Sequence, residues 1–296
     1  MNILVVGGDS DPNLSALLAT LEKRGLEYKA LLVGQQYHPR VTWDINEDIL
    51  YLNGEASSPK AVFIRHDIFT HLATKRPATA QRAYSWFTTL SGWVYAHPEV
   101  RIFNRDNALK VTNKPQVLHL AKKLGLTVPS TLLSNDVTLL MQEMKKGPLI
   151  VKPVNGGDFA QELAGVLQKA PIIKNSLAAP ALVQEQLVPP EIRIYGIDCQ
   201  FFVYKLVADA LDYRSTSDCQ VIPLSVSDVP EGLLDRLAAL MRELQMDFCA
   251  ADFKACPQTG ELKFLEINNS PMFVAFDAVS EGRLIGAFVD FLNGTN

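Results

Sequence analysis

The first 33 residues of the chain constrain its fold more than any other segment. The segment "ILVVGG" is a short apolar run, rich in branched residues, that ends in two glycines, which is typical of a buried strand. The residues that follow predict a helix capped by Asp11, with Pro12 at its first position and Gly25 at its end. Because "YKALLV" predicts a second strand, the opening is a β-α-β unit, which favours a parallel sheet.

The two glycines after the first strand do not indicate a dinucleotide site. Gly7 and Gly8 lack the GxGxxG spacing, and no acidic residue lies where a ribose partner is expected, at the end of the second strand. We therefore interpret them as structural glycines.

The next hundred residues predict further elements and one boundary. A hairpin is predicted over "RVTWDINEDILYLNGE", then a strand over "AVFIRHD" and a helix over "ATAQRAYSWFTTLSGWV". Trp86, Phe87 and Trp93 of that helix are interpreted as packing residues, since no basic stripe accompanies them. Another capped helix begins at Asn113 or Lys114, and hairpins follow it. The change in pattern predicts a domain boundary near residue 110.

Composition excludes several classes of protein. The net charge of −4, from 28 basic and 32 acidic residues, leaves no basic surface for nucleic acid or for an anionic membrane. The sequence contains no signal-peptide pattern and no run of about eighteen apolar residues. Its four cysteines form no CxxC pair, so we expect neither a zinc site nor disulfides. These features predict a soluble cytoplasmic protein with reduced thiols.

A predicted hairpin near the C-terminus carries the most specific polar pattern. Two apolar segments flank "PQTG", which predicts a three-residue loop with Gly260 in the left-handed conformation. That loop would place Asp252 opposite Glu266. It would also place Ala250 opposite Asn268, so that two acids and one amide share a face of the hairpin.

This polar face has two interpretations, which the hairpin alone does not decide. Two carboxylates with β-carbons about 5 Å apart repel each other unless a cation lies between them. Oxygen ligands of this kind suit Mg²⁺ that holds the phosphates of a nucleotide. The alternative is an ordinary exposed face of an edge hairpin. The opposite face is expected to be buried, and its residues are Ala251, Phe253, Leu265 and Ile267.

Charged residues upstream end or begin predicted strands. Lys152 ends an apolar strand before the glycine-bearing loop "VNGGDF", an arrangement that can bind phosphate, although a lysine extended into solvent is the alternative. Glu185 ends another strand, where backbone groups can bind a flat base. Arg193 offers a planar fork for phosphate or carboxylate. The alternative is an edge-strand charge pair, which Glu191 suits nearly as well.

The order of these motifs resembles the ATP-grasp superfamily over residues 110 to 290. The matching motifs, in order, are "NKP" with Lys114, "VKP" with Lys152, "VQEQL" at 183–187, "EIR" at 191–193, Asp252 and "EINNSP". The resemblance implies an α/β fold with an N-terminal β-α-β pre-ATP-grasp domain at 1–110. Two α+β subdomains that enclose ATP are implied at 111–187 and 188–296.

The resemblance also implies a role for each matching residue. Residues implied to bind the nucleotide are Lys114 and Lys152 at the phosphates, Glu185, Gln186 and Leu187 at the adenine, and Glu191 at the nucleoside. Residues implied to bind two Mg²⁺ ions are Asp252, Glu266 and Asn268. The protein is therefore expected to use ATP with Mg²⁺.

A closer resemblance is to the branch that contains ribosomal-protein glutamate ligases and microviridin-type (graspetide) peptide macrocyclases. The segments that carry it are residues 113–136, "DYR" at 212–214 and residues 266–292. The branch implies a ligase that activates a carboxylate as an acyl phosphate and joins it to an amine or hydroxyl, with Arg193 and Arg214 stabilising the charge.

Three functions are compatible with the sequence at this point, two ligases with different substrates and one protein without catalysis. A ribosomal peptide is expected first, and a free amino acid, a small peptide or a protein tail is the alternative. A noncatalytic nucleotide-binding scaffold is more remote, because all the implied metal ligands are present. The oligomeric state stays open, a homodimer included.

Overall fold

The computed structural model describes residues 2–34, 37–65, 77–106, 113–154, 159–208 and 218–295. The chain forms two compact units. The first consists of Met1–Leu109, Gln245–Phe248 and Asn269–Asn296, and the second consists of Lys110–Leu244 and Cys249–Asn268. The finer division into three domains at residues 110 and 187 stays a prediction.

The described part of the chain contains both strands and helices along its length. In order they are β1 (Ile3–Gly8), α1 (Pro12–Lys23), β2 (Tyr28–Val33), β3 (Val41–Asp44), β4 (Ile49–Leu52), β5 (Glu55–Ser57), β6 (Ala61–Ile64), α2 (Pro77–Ala96), α3 (Lys114–Lys123), β7 (Thr131–Asp136), α4 (Val137–Met144), β8 (Leu149–Pro153), β9 (Gln161–Glu162), α5 (Leu163–Lys169), β10 (Ser176–Glu185), β11 (Val188–Ile197), β12 (Gln200–Val207), β13 (Gln220–Leu224), α6 (Leu233–Glu243), β14 (Phe248–Ala255), β15 (Leu262–Asn268), α7 (Val274–Val279) and α8 (Arg283–Asn293). In the described ranges, none of these helices combines the length and apolarity needed to cross a membrane.

The first unit contains the predicted β-α-β opening. Strands β2, β1 and β6 form a parallel sheet in that order. The side chain of Asp11 accepts a hydrogen bond from Asn13 N and caps α1, because the first N–H groups of a helix have no partner within it. The predicted hairpin is also confirmed as β3 and β4, and β5 extends it to a three-stranded antiparallel sheet.

Helix α2 supplies much of the apolar core of the first unit. Trp93 is 4% exposed and packs in a cluster with residues of β1, β2, β4 and β6. Trp86 and Phe87 are partly buried against the same cluster. The prediction that these aromatic residues pack is therefore confirmed.

A buried ion pair at the ends of β1 and β6 was not predicted. Arg65 Nε donates to Asp11 Oδ2 at 2.9 Å, and Arg65 Nη1 donates to the Pro271 carbonyl at 3.0 Å. Both charged residues are at least 96% buried. Breaking such a pair typically costs about 3–5 kcal/mol, because the remaining charge stays buried without a partner. Through Arg65, the pair therefore fixes the end of "EINNSP", at Pro271, against the start of α1.

The second unit contains two sheets that carry the candidate site. One has the strand order β7-β10-β8-β9, and the other has the order β13-β12-β11-β14-β15. Helix α3 begins at Lys114 as predicted, since the side chain of Asn113 accepts a hydrogen bond from Gln116 N. Gly125 lies just after the end of α3 and has a φ of +85°. Glycine adopts this left-handed conformation readily because it has no Cβ atom.

Candidate functional site

The hairpin of β14 and β15 brings together the predicted acids and amide. Asp252 pairs with Glu266 and Ala250 pairs with Asn268, as predicted. Asp252 is 4% exposed, the Glu266 side chain is 27% exposed, and Asn268 is exposed. Since directly opposite residues share a face, the three oxygen-bearing side chains lie on one face of the sheet.

The turn of this hairpin differs from the predicted three-residue loop. Gly260 has the expected left-handed φ of +72°. However, Gly260 N donates to Cys256 O, and Cys256 N donates to Glu261 O. The loop therefore consists of residues 257–260, one residue more than predicted.

A β-bulge restores the predicted pairing farther along the hairpin. Between the turn and the bulge, Phe253 pairs with Phe264, and the register then shifts so that Asp252 pairs with Glu266. Leu265 is the extra residue on β15, and it is only partly buried. The prediction that Leu265 belongs to the buried face is wrong, because Phe264 is fully buried there instead. Its ring lies 5.6 Å from that of Phe253.

Arg193 of β11 binds Asp252 of the neighbouring strand β14 through both carboxylate oxygens. Its Nε and Nη2 each donate to one oxygen of Asp252 at 2.7 Å, and both residues are less than 10% exposed. This two-bond geometry uses the planar fork of arginine. The cation that relieves repulsion at Asp252 in the structure is therefore a guanidinium.

A second ion pair joins the same two strands. Lys254 Nζ lies 3.0 Å from Glu191 Oε2, and both side chains are nearly buried. Glu191 and Arg193 are two residues apart on β11, as Asp252 and Lys254 are on β14. The two pairs therefore lie on one face of the sheet. Glu191 does form a charge pair, but the predicted edge position is wrong, because β11 lies between β12 and β14 in the centre of the sheet.

Helix α3 brings a third cation to this face. Lys114 Nζ lies 3.5 Å from Glu266 Oε2, and both side chains are about one-third exposed or less. A contact of this length between partly exposed groups contributes about 0–1 kcal/mol. The contact between Lys114 and Glu266 therefore contributes little to stability.

Glu185 connects the two sheets of the second unit. Its Oε1 accepts hydrogen bonds from Lys263 Nζ at 2.6 Å and from Ser130 N at 2.7 Å. Burial alone would lower the pKa of Lys263, but the hydrogen bond and the charge of Glu185 raise it above its ordinary value. Lys263 consequently stays protonated at neutral pH.

The remaining nucleotide-binding candidates lie on or beside the four-stranded sheet. Lys152 is next to last in β8, opposite Leu182, and is partly exposed. Glu185 N donates to Ser130 O, and Gln186 N donates to Pro148 O, so both N–H groups are used within the protein. Leu187 is buried. The roles assigned to these residues at phosphate and adenine stay predictions.

Two sequence predictions fall outside the described residues. One is the role of Arg214 in "DYR". The other concerns residues 155–158, the glycine-bearing part of the loop after Lys152.

The sequence missed two lysines of the site. Lys254 and Lys263 are directly opposite each other on β14 and β15, and Glu191 and Glu185 respectively neutralise them. The spacing of Lys254, two residues after Asp252, was a usable signal because it predicts the same face of the strand. No comparable signal identifies Lys263, because the bulge changes the alternation on β15.

The oxygen donors at the hairpin fit a hard divalent cation. In the described ranges, no three His, Cys, Asp or Glu side chains form a metal-binding group. The candidate set instead consists of the carboxylates of Asp252 and Glu266 and the amide of Asn268, which are ligand types that Mg²⁺ accepts together with water and phosphate. Each Asp252 oxygen that accepts one hydrogen bond from Arg193 retains a second lone pair.

Comparison with models of known protein families finds no match, and comparison with curated proteins finds none either. Solved structures do match. The ATP-grasp ligase PsnB, solved with a minimal precursor, is 24% identical with a TM-score of 0.76, and the match covers 98% of each chain. The macrocyclase MdnC from Microcystis aeruginosa MRC, bound with precursor peptide MdnA, is 18% identical with a TM-score of 0.71 and 99% coverage of each chain.

A ligase named for a different substrate is also similar. VanG D-Ala:D-Ser ligase from Enterococcus faecalis is 14% identical with a TM-score of 0.63, and the match covers 99% of this chain and 98% of that one. Together these likenesses show that the chain has the ATP-grasp fold, as the sequence predicted.

Proposed function

We propose that this protein is an ATP-dependent ligase that activates a carboxylate as an acyl phosphate and joins it to an amine or a hydroxyl. The observation that carries the proposal is the polar face of the five-stranded sheet. There Asp252, Glu266 and Asn268 lie together, and Arg193 and Lys114 contact the two acids. Burying ions costs free energy, so a sheet face with a purely structural role would be expected to carry apolar residues instead of this many charges.

Each group of these residues has a different role in phosphoryl transfer. Lys114 and Lys152 bind the phosphates of ATP, and the segment from Glu185 to Leu187 binds the adenine. The contact of Lys114 with Glu266 places the lysine amine beside the proposed metal ligands, where the phosphates would lie. Mg²⁺ held by Asp252, Glu266 and Asn268 supplies charge neutralisation at the transferring phosphoryl group.

The chemistry proceeds in two displacements. A carboxylate oxygen of the substrate attacks the γ-phosphorus of ATP, and ADP leaves. The acceptor nitrogen or oxygen then attacks the acyl carbon, phosphate leaves, and the acceptor loses its proton. Arg193 and Arg214 stabilise negative charge on the acyl phosphate and on the tetrahedral species that follows it. Because phosphate is a good leaving group, no nucleophilic side chain of the protein is required.

We propose a ribosomally made precursor peptide as the substrate, with both reacting groups in one chain. Two of the similar structures support this choice, since PsnB is described with a minimal precursor and MdnC with precursor peptide MdnA. The likeness to VanG D-Ala:D-Ser ligase supports a second candidate, a ligase that joins free amino acids or adds them to an acceptor. The two candidates share the nucleotide chemistry and differ in the mass of the product.

We expect the protein to bind a nonhydrolysable ATP analogue with Mg²⁺ present. Isothermal titration calorimetry should give a saturable heat of binding, and Lys152→Ala should weaken it by about tenfold or more, the effect of losing one charge-assisted contact. The matched control is Lys146→Ala, because the Lys146 side chain is 72% exposed and forms an ion pair with Glu143. Absence of binding heat from folded protein would contradict the nucleotide assignment.

A peptide macrocyclase should remove water from its substrate. The probe is a short peptide rich in Thr, Ser, Asp and Glu, chosen from the reading frames beside the gene and incubated with ATP and Mg²⁺. Intact-mass spectrometry should show a loss of about 18 Da for each bond formed by condensation through the acyl phosphate. Mass gain with a free amino acid would instead establish the second candidate.

The same assay tests the assigned role of Arg214. Arg214→Ala should slow product formation by about a hundredfold while ATP binding changes less, because the contact is strongest in the transition state. Arg242→Ala, at an exposed position of α6, is the matched control. Unchanged activity of Arg214→Ala would show that this arginine does not stabilise the acyl phosphate.

A further inference from the structure

Asn104 of the first unit is buried, and its side-chain amide makes hydrogen bonds at every donor and acceptor position. The residue is 6% exposed. Its Oδ1 accepts from Asp247 N at 2.9 Å and from Phe248 N at 3.0 Å. Its Nδ2 donates to Phe248 O at 2.8 Å and to Asn269 O at 3.0 Å. Since an amide side chain has two N–H donors and two lone pairs on its oxygen, its capacity for hydrogen bonds is used in full.

The surroundings of this amide require an asparagine in one orientation. Both neighbours of Oδ1 are N–H donors and both neighbours of Nδ2 are carbonyl acceptors, so a rotated amide would lose all of these bonds. The φ of Asn104 is +54°, in the left-handed region that asparagine adopts more readily than most residues. Aspartate at this position would keep the accepted bonds and lose the donated ones.

The bonds of Asn104 converge on the ends of the two strands that carry the proposed metal ligands. Phe248 is the first residue of β14, and Asn269 directly follows Asn268, the last residue of β15. The pairing of the two strands ends at Ala250 and Asn268. Strand ends open more easily than strand centres, because fewer contacts hold them. The amide of Asn104 therefore holds together the two chain segments at the open end of the hairpin.

We propose that Asn104 is a positioning residue for the metal site, because its amide fixes Asn268 relative to Asp252. Mg²⁺ requires near-ideal octahedral geometry, with oxygen ligands at about 2.0–2.1 Å, so it tolerates little movement of a ligand. Replacing a residue that orients metal ligands typically lowers metal affinity about 10–100-fold. This inference rests on the proposed function, which assigns Asn268 and Asp252 as ligands. It adds a residue of the first unit, whose partners Asp247, Phe248 and Asn269 belong to that unit as well.

The test measures how much Mg²⁺ is needed for binding of a nonhydrolysable ATP analogue. Calorimetric titrations at a series of Mg²⁺ concentrations give the concentration at which half of the gain in affinity is reached. In Asn104→Asp this concentration should rise about tenfold, while binding of the analogue without Mg²⁺ stays unchanged. The added negative charge by itself favours a cation, so a weaker effect of Mg²⁺ is not a charge effect. Asn104→Ala removes every bond of the amide without adding charge and should raise the Mg²⁺ requirement at least as much.

Asn13→Ala is the matched control, because Asn13 is also a buried asparagine of the first unit with a fully used amide oxygen. Its Oδ1 accepts from Phe273 N and Val274 N, and its Nδ2 donates to Asp11 Oδ1. These bonds hold the segment beyond Pro271 and not the strand ends. Asn13→Ala should therefore lower the melting temperature, as the Asn104 variants do, and leave the Mg²⁺ requirement unchanged.

The inference and the proposed function fail in different ways. If Asn104→Asp and Asn104→Ala need no more Mg²⁺ than wild type, or if Asn13→Ala raises the requirement equally, Asn104 does not position the metal site. Either result leaves the proposed function intact, since wild type still binds the analogue with Mg²⁺. If binding to wild type does not depend on Mg²⁺, the metal assignment is wrong and this inference falls with it.

Discussion

Replacement of Glu266 by Gln is expected to reduce ligase turnover by about a thousandfold, the upper range for loss of a preorganised electrostatic contact in an active site. Its effect on stability should be small. The Glu266 side chain is 27% exposed, and its ion pair with Lys114 is long at 3.5 Å. Loss of such a pair costs about 1 kcal/mol or less. Steady-state ADP release and thermal melting without nucleotide measure the two effects separately.

Glu261→Gln is the matched control for this change, since Glu261 is exposed near the tip of the same hairpin. It should retain turnover. If Glu266→Gln instead lowers the free energy of unfolding by several kcal/mol, Glu266 serves a structural pair and the metal assignment fails.

The ion pair of Arg193 and Asp252 is expected to have a large effect on stability. Arg193→Ala leaves the Asp252 carboxylate 4% exposed and without its two-bond partner, which should lower the free energy of unfolding by about 3–5 kcal/mol. Replacing both residues, as Arg193→Met with Asp252→Leu, should recover most of that loss because no charge is left buried. Urea unfolding of the single and double variants measures the coupling.

Activity should not recover with stability in the double variant. A restored fold without turnover would separate the structural contribution of the pair from its proposed chemical one. The comparison pair is Lys146 and Glu143. Replacing either residue by alanine should lower the free energy of unfolding by about 1 kcal/mol or less, because this ion pair lies at the surface. If the Arg193 and Asp252 losses simply add in the double variant, the two side chains are not coupled and the buried-pair explanation is wrong.

Local elements were predictable from sequence because their signals are local. Asp11 and Pro12 mark the start of α1, and Asn113 marks the start of α3, as the structure confirms. The pairing of Asp252 with Glu266 was also correct. In that case two errors cancelled, because the loop is one residue longer than predicted and the bulge adds one residue on β15.

The contacts between distant strands were not predictable in the same way. Arg193 and Asp252 are 59 residues apart, and their pairing requires β11 to lie beside β14. Apolar periodicity identifies a strand and its buried face but not its neighbours in the sheet. The partners of Glu191 and Glu185 were missed for this reason, since Lys254 and Lys263 meet them only after the sheets assemble.

The bulge at Leu265 also determines which side of the sheet Glu266 faces. If the pairing at the tip continued without it, Asp252 would lie opposite Leu265, and Glu266 would lie opposite Ala251. Glu266 would then point into the apolar layer, since a shift of one residue exchanges the two faces of a strand. A deletion of one residue in β15 would thus place the Glu266 side chain on the opposite face of the sheet, although the residue itself would be unchanged. In related sequences, the parity of the number of residues between the turn and the acid is therefore as informative as the acid itself.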